Sequence, residues 1–271
     1  MDSKALDLEK LLEDVKRVVL EAAPLMDMGT AQVFEKDGVS NLVTSADLAV
    51  QHYLSKELLR LVPGCGFFGE EEHMCSKGDG RRWIVDPIDG TANFTRGLGQ
   101  SAISVGFVNG DDILLGVVYN PVSKEMFWAL KGQGAFMNGK PLQVSKMDFE
   151  HSILCTAFSL YRKEYAQICN DILMDAYFQC ADFRRFGACS LEMCYLAAGK
   201  VDMYFEIRLS PWDYCAATLI VREAGGFVEG FKGASPSLEG PCPLVVANSK
   251  ENLERLKSII ERHMDSVPYT D

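Results

Sequence analysis

Acidic side chains stand at three separated points of the chain where they could act together. They are Glu70-Glu71-Glu72 after the apolar pair Phe67-Phe68, Asp86 and Asp89 around Trp83-Ile84-Val85, and Asp213 behind Pro211-Trp212. Hard oxygen donors from separate elements are what Mg²⁺ takes as ligands, and ions clustered around one phosphate need several of them. Each acid also has an ordinary structural use. A run of three acids is usually a solvated turn, Asp89 before Gly90-Thr91 could cap a helix, and Asp213 could complement the dipole of a helix opened by Pro211. Their combination is what points to metal.

The elements that must position these acids follow from periodicity. Leu8, Leu11, Leu12, Val15, Val18, Val19 and Ala22 recur at helical spacing and predict a first helix from Ala5 to about Met26. Thr44 or Ser45 should cap a second helix that runs to Leu61 and stops at Pro63-Gly64, with Asp47 near its start. Trp83 to Val85, Ala102 to Val108, Ile113 to Tyr119 and Glu125 to Trp128 predict strands of an antiparallel meander, and Asn138-Gly139 a hairpin turn. Pro87 is expected to make a turn beyond the first of these strands, bringing Asp86 and Asp89 together. Gly90 then permits close backbone approach to a ligand.

Beyond residue 150 strands and helices alternate: strands at Ile153 to Ala157, Asp202 to Phe205 and Leu244 to Ala247, with helices at Lys163 to Ala176, Ser190 to Ala198, Pro211 to Ala224 and Glu251 to Met264. Two halves are expected, an N-terminal α+β half over 1–150 with most of the acids and an α/β half over 151–271 with Asp213. They are expected to pack as one α/β unit.

Composition narrows the partners. Of the 271 residues 48% are apolar and 24% charged, and the net charge is −11 at a pI near 4.9. Such a surface argues against nucleic-acid polymers. An acidic protein that handles a small phosphorylated substrate needs cations to screen its carboxylates, which again suggests divalent metal. The nine cysteines are scattered without a Cys-x-x-Cys pair, so buried thiols in a reducing cytoplasm are expected rather than a zinc or disulfide framework. The N-terminal stretch lacks the apolar core of a signal peptide, and no run approaches a membrane span.

Gly69-Glu70-Glu71, WIVDPIDGTANF from Trp83 to Phe94 and WDYCAATLIVREAGG from Trp212 to Gly226 together resemble the inositol monophosphatase family. Asn41 to Asp47, Gly134 to Gly139 and Arg184 to Met193 extend the similarity over nearly the whole chain. The resemblance implies a layered αβαβα sandwich and hydrolysis of a phosphate monoester by metal-activated water. It implies two to three Mg²⁺ ions: Glu70, Asp86 and the Ile88 carbonyl for the first, Asp86, Asp89 and Asp213 for the second, and Glu71 for a third, weaker ion or its water. Thr91 and Asp47 match the pair that orients and deprotonates the nucleophile, and the N–H groups of Gly90 and Thr91 would hold phosphate oxygens. Lithium sensitivity and a homodimer are further family expectations.

On the substrate side, Glu206 matches the position that accepts hydrogen bonds from substrate hydroxyls, and Arg184 one that orients it. Ala188 and Cys189, in Gly187-Ala188-Cys189-Ser190, match a small-residue turn against the alcohol. Arg208 either meets a second anionic group or is a solvated loop residue. Ala92-Asn93-Phe94 resembles sugar-alcohol phosphatases more than the Lys-Glu-Phe of nucleotidases. Inositol monophosphate is therefore the expected substrate. Fructose-1,6-bisphosphate, a 3′(2′),5′-bisphosphate nucleotide and histidinol phosphate are the alternatives, and a non-catalytic metal- or phosphate-binding protein is the alternative of another class. Gly38 is expected in a loop near the third metal, with Lys36 as a lid contact or solvated.

Overall fold

Leu11, Leu12, Val15, Val18, Val19 and Ala22 form the buried stripe of helix α1 (Leu8–Ala22), capped at Asp7, which accepts from the Lys10 N–H at 3.0 Å. The helix ends earlier than its apolar pattern, passing into a 3-10 turn at Ala23–Leu25 where Pro24 removes a backbone donor. A computed structural model describes residues 6–36, 42–71, 74–76, 78–158, 162–231 and 233–264, so the expectation for Gly38 lies outside the described residues. Helix α2 (Ser45–Leu61) starts where expected. Thr44 is its N-cap, and Thr44 and Asp47 form a reciprocal capping box.

The strands, numbered along the chain, begin with a short antiparallel pair, β1 (Val33–Glu35) and β2 (Leu42–Thr44). Next come β3 (Gly66–Gly69), β4 (Cys75–Ser76), β5 (Arg81–Asp89), β6 (Ala102–Asn109), β7 (Asp112–Asn120), β8 (Glu125–Leu130), β9 (Ala135–Met137) and β10 (Lys140–Pro141). Among the described residues these make one sheet in the order β10-β9-β8-β7-β6-β5-β3-β4. From β5 to β10 it is the expected antiparallel meander, and only β3 on β5 runs parallel. The remaining strands are β11 (Ile153–Thr156), β12 (Asp182–Arg184), β13 (Met203–Leu209), β14 (Phe227–Glu229) and β15 (Cys242–Ala247). They form a second sheet in the order β12-β11-β13-β15-β14.

Among the described residues five further α-helices complete the layers: α3 (Thr91–Thr95), α4 (Ala166–Tyr177), α5 (Cys189–Ala197), α6 (Pro211–Glu223) and α7 (Lys250–Met264). Three apolar clusters show how the layers stack. One joins α1 and α2 to one face of the larger sheet through Trp83, Val85, Ile103, Val105 and Phe107. The next joins the other face of that sheet to α5 and α6 and, beyond them, to Tyr204, Leu244 and Val246 of the second sheet. The third covers the far face of the second sheet with α4 and α7. The succession is helix, sheet, helix, sheet, helix, the layered α/β fold implied by the resemblance.

Close approach of α6 to the larger sheet depends on two facing glycines, Gly106 of β6 and Gly116 of β7. A Cβ on Gly106 would come 2.6 Å from Cys215 Sγ, and one on Gly116 would collide with the Ala216 carbonyl. With nothing larger in that groove, the start of α6 reaches the edge of β5. This places Asp213.

Two local expectations need correction. Strand β13 runs on through Leu209, so Glu206 and Arg208 belong to a strand and Arg208 is partly buried, not a solvated loop residue. Strand β5 also continues through Asp86-Pro87-Ile88-Asp89 rather than turning at Pro87.

Candidate active site

The reason β5 can carry both acids lies in its register. Asp86 pairs with Ser104 and Asp89 with Ala102, so three steps along β5 face two along β6, which is a β-bulge. In a regular strand, residues three apart point to opposite faces. The extra residue returns Asp89 to the face of Asp86, and Pro87, which has no N–H for the ladder, is tolerated there. The convergence expected of a turn is achieved by a bulge. Ser104, opposite Asp86, also donates to the Trp212 carbonyl at 3.4 Å, tying the residue before Asp213 to the same place.

The other groups come from helix starts. Asp213 is the third residue of α6 and its Oδ2 accepts from the Ser210 N–H at 2.7 Å, a second capping box. Asp47 Oδ2 takes the N–H of Thr44 at 2.8 Å together with the Thr44 hydroxyl. Its Oδ1 receives the hydroxyl of Thr91, at the start of α3, at 3.2 Å. Thr91 Oγ1 also lies 3.1 Å from the Ile88 carbonyl. Asp89 Oδ2 accepts from the N–H of Ser190, at the start of α5, at 2.7 Å and from its hydroxyl. The first turns of α2, α3, α5 and α6 thus converge, and their partial positive charge offsets some of the repulsion among the acids.

That repulsion is large. Burial, followed by the charges of Glu70, Asp89, Asp213 and Asp47, raises the pKa of Asp86 well above the carboxylate range. Asp213 is raised in the same way by burial, Glu70 and Asp89. Burial pushes Asp89 up to about 6 against the hydrogen bonds from Ser190, and Asp47 up to about 6 against those from Thr44. Glu71 rises to about 7, from burial first and Glu70 second, with Lys36 opposing.

Lys36 is not merely solvated. Its Nζ stands 3.0 Å from Glu70 Oε1 and 2.6 Å from Glu71 Oε1. Burial disfavours this ammonium, but the two carboxylates outweigh it and raise its pKa. Gln51, one turn beyond Asp47 on α2, pins the Glu71 backbone: its Nε2 donates to the carbonyl at 2.7 Å and its Oε1 accepts the N–H at 2.9 Å.

The donor set suits a hard divalent cation. All its acids are oxygen ligands. Asp86 and Asp213 each engage one oxygen with a backbone N–H, at 3.0 Å from Ile88 and 2.7 Å from Ser210, and keep the other without a hydrogen-bond partner among the described residues. Their mutual repulsion is what added positive charge would relieve. Among the described residues no three His, Cys, Asp or Glu side chains stand close enough together to hold an ion as they are placed.

The substrate-side residues divide. Glu206 is buried, and the Tyr204 hydroxyl donates to its Oε2 at 2.6 Å. Burial pushes it up to about 7, with Tyr204 and the charge of Arg185 opposing. Ala188 and Cys189 are buried at the start of α5, adjoining Gly90, where an added Cβ would lie 3.0 Å from Ala188 Cβ. Arg184 is exposed and bonded to Asp182 and the Phe183 carbonyl, so Tyr204 and Arg185, not Arg184, act on Glu206. Arg208 has no ion-pair partner among the described residues. Sequence reasoning missed Ser190, Tyr204 and Gln51. Gln51 four residues after Asp47 and Tyr204 two before Glu206 share a helix or strand face with known candidates, which was the available signal.

Residues 7–265 match the model of the Inositol monophosphatase family. Nus factor SuhB of Salmonella typhimurium (strain LT2) is 39% identical over 199 residues, 72% of this chain and 74% of that protein. Among solved structures, the extragenic suppressor protein suhB from Bartonella henselae superposes with a TM-score of 0.86 at 28% identity, covering 93% of this chain and 99% of that one. The Thermotoga maritima IMPase does so with a TM-score of 0.84 at 28% identity, over 95% and 98%.

Proposed function

Because the chain belongs to the inositol monophosphatase family, we propose that it hydrolyses a small phosphate monoester, inositol monophosphate being the favoured substrate, with two to three Mg²⁺ ions bound. The observation that carries this reading is the cluster of Glu70, Asp86, Asp89 and Asp213, with Asp86 and Asp89 buried and the other two partly buried, beside the hydrogen-bonded pair Asp47–Thr91. Glu70, Asp86 and the Ile88 carbonyl would hold one ion, Asp86, Asp89 and Asp213 a second, and Glu71 a third or its water. Bound Mg²⁺ supplies Lewis-acid polarisation of the phosphoryl group, a lowered pKa for water and stabilisation of the departing alkoxide.

The residues of the chain then have separate tasks. Thr91 Oγ1, donating to Asp47 Oδ1, has a lone pair for the proton of an attacking water while its own proton passes to Asp47. Asp47, pushed up to about 6, has the basicity for that transfer near neutral pH. The N–H groups of Gly90 and Thr91 receive phosphate oxygens. Glu206, held through one oxygen by Tyr204, offers the other to a substrate hydroxyl. The bond from phosphorus to the alcohol oxygen breaks as the one to the water oxygen forms; the departing alkoxide takes up a proton from water, Asp47 gives its proton to solvent, and alcohol and phosphate leave.

A turnover panel with Mg²⁺ or with EDTA tests the proposal, using inositol 1-phosphate, fructose-1,6-bisphosphate, adenosine 3′,5′-bisphosphate and histidinol phosphate at matched concentrations. Mg²⁺-dependent release that is fastest from inositol 1-phosphate is expected. A preference for either bisphosphate would instead assign Arg208 to a second phosphate. A second reading, binding without turnover, takes its support from the relatives named Nus factor SuhB. Absence of phosphate release from every substrate, with Mg²⁺ binding retained, would favour it.

A further inference from the structure

Glu192 takes no part in the chemistry above, yet it is an acid with 0% exposure in the middle layer of the fold, on α5. Its Oε1 accepts from the N–H groups of Phe186 and Gly187, the second at 3.2 Å. Its Oε2 has no hydrogen-bond partner among the described residues. An unpartnered buried polar atom is costly. Burial pushes this carboxyl up to about 8 although the two N–H donors pull it down, so near neutral pH it is held mainly as the acid. A leucine or methionine would fill such a place in an ordinary core.

The same peptide is gripped from its other side. Asn93, two residues after Thr91 in α3, donates through Nδ2 to the carbonyls of Phe186 at 2.7 Å, Gly187 at 3.3 Å and Gln100 at 2.8 Å. Gly187 has φ near +80°, which glycine adopts without steric cost and which leaves its turn to be fixed by these contacts. A Cβ on Gly90 would lie 3.0 Å from Ala188 Cβ and 3.2 Å from the Gly187 carbonyl, so the turns at Gly90-Thr91 and Gly187-Cys189 are in direct contact.

We propose that Glu192 is a positioning residue: with Asn93 it clamps the Phe186-Gly187 peptide and so fixes the turn that seats the alcohol against the turn that seats the phosphate. The proposal rests on the phosphatase reading. What it requires of Glu192 is an acceptor for two N–H groups, not a charge. Glu192→Gln keeps that acceptor and Glu192→Ala removes it.

With inositol 1-phosphate and Mg²⁺, Glu192→Ala is expected to raise KM and lower kcat/KM by about tenfold or more, the loss of more than one hydrogen bond. Glu192→Gln is expected to stay within about twofold of the unmodified protein because both bonds remain. Amide hydrogen exchange at Phe186 and Gly187 should speed up in the alanine variant only. A merely structural role would lower the melting temperature and leave KM unchanged, and that result overturns the proposal. Equal losses in the two variants overturn it as well, since charge would then be what matters. Should Glu192→Ala not fold, Asn93→Ala removes the opposite half of the clamp and must show the same rise in KM. If the unmodified protein releases no phosphate, the phosphatase reading fails instead. Exchange then decides the clamp, and unchanged protection at Phe186 and Gly187 in Glu192→Ala removes it.

Discussion

Asp89 and Ser190, 101 positions apart, are joined at a single carboxylate oxygen: the Ser190 N–H donates to Asp89 Oδ2 at 2.7 Å and its hydroxyl donates to the same atom. This link ties β5 of the larger sheet to the start of α5. It also opposes the effect of burial on Asp89. Ser190→Ala keeps the N–H bond and loses the other, a change of about 1 kcal/mol. The Asp89 pKa should rise, and kcat/KM should fall about fivefold with a higher Mg²⁺ requirement. Titration of activity against Mg²⁺ checks this, and an unaltered requirement would contradict it.

Gly90 is in the left-handed region at φ +83°, and an added Cβ would stand 2.8 Å from the Gln100 carbonyl as well as against Ala188. Backbone strain alone is worth about 1–3 kcal/mol. Gly90→Ala should therefore lower the melting temperature and remove nearly all turnover. Gly97, at φ +64° with open space around its Cβ position, is the control. Gly97→Ala should show strain without loss of kcat, and equal kinetic losses in the two would show that the contact at Gly90 is irrelevant.

Thr91 and Asp47 should act as a unit. Thr91→Ala is expected to reduce kcat by about 10²–10⁴-fold, the usual range for a lost proton relay, with little change in stability. Asp47→Asn should give a similar kinetic loss and also destabilise α2, because Asp47 closes its capping box. Combining the two should cost little more kcat than either alone. Fully additive losses would mean that the residues act separately.

The raised acids predict how stability depends on pH. Asp47 and Asp89 titrate at about 6, Glu71 and Glu206 at about 7. Unfolded, such groups ionise near about pH 4. Between about pH 4 and 7 the native state therefore holds more protons than the unfolded state, and stability is lost as pH rises through that window. In EDTA the melting temperature should be lower at about pH 7.5 than at about pH 5. Mg²⁺ should act in the opposite sense, stabilising strongly at the higher pH, where the carboxylates are ionised, and weakly at the lower. Scanning calorimetry under the four conditions measures both trends, and stabilisation by Mg²⁺ that is equal at both pH values would speak against the carboxylate cluster as its site.

Asp213→Asn removes an anionic oxygen ligand while the amide oxygen can still accept the Ser210 N–H. The fold should persist by circular dichroism, Mg²⁺ binding should weaken, and turnover should nearly vanish. Near-normal Mg²⁺-dependent turnover in this variant would remove Asp213 from the metal site.

Local rules made much of this legible in the sequence. Asp47 sits at the start of α2 because Thr44 and Asp47 are capping residues ahead of an apolar stripe, and Asp213 in the first turn of α6 because Pro211 opens a helix there. The layered α/β fold followed from the resemblance, and the meander from the alternation of its strands. Errors arose where two segments had to be known together. Pro87 suggested a turn because its partner strand was not in view, and Arg184 was matched to Glu206 although Asp182 lay nearer.

The sequence by itself determined which acids are available and on which helix starts and strands they lie, since these depend on periodicity and capping within a few residues. Only the tertiary structure decided that Asp86 and Asp89 share a face, that Gly106 and Gly116 let α6 bring Asp213 to them, and that Ser190, Lys36 and Tyr204 hold four of the acids. Those relationships join residues 101 positions and more apart. They depend on register and on the space between layers, neither of which local sequence encodes.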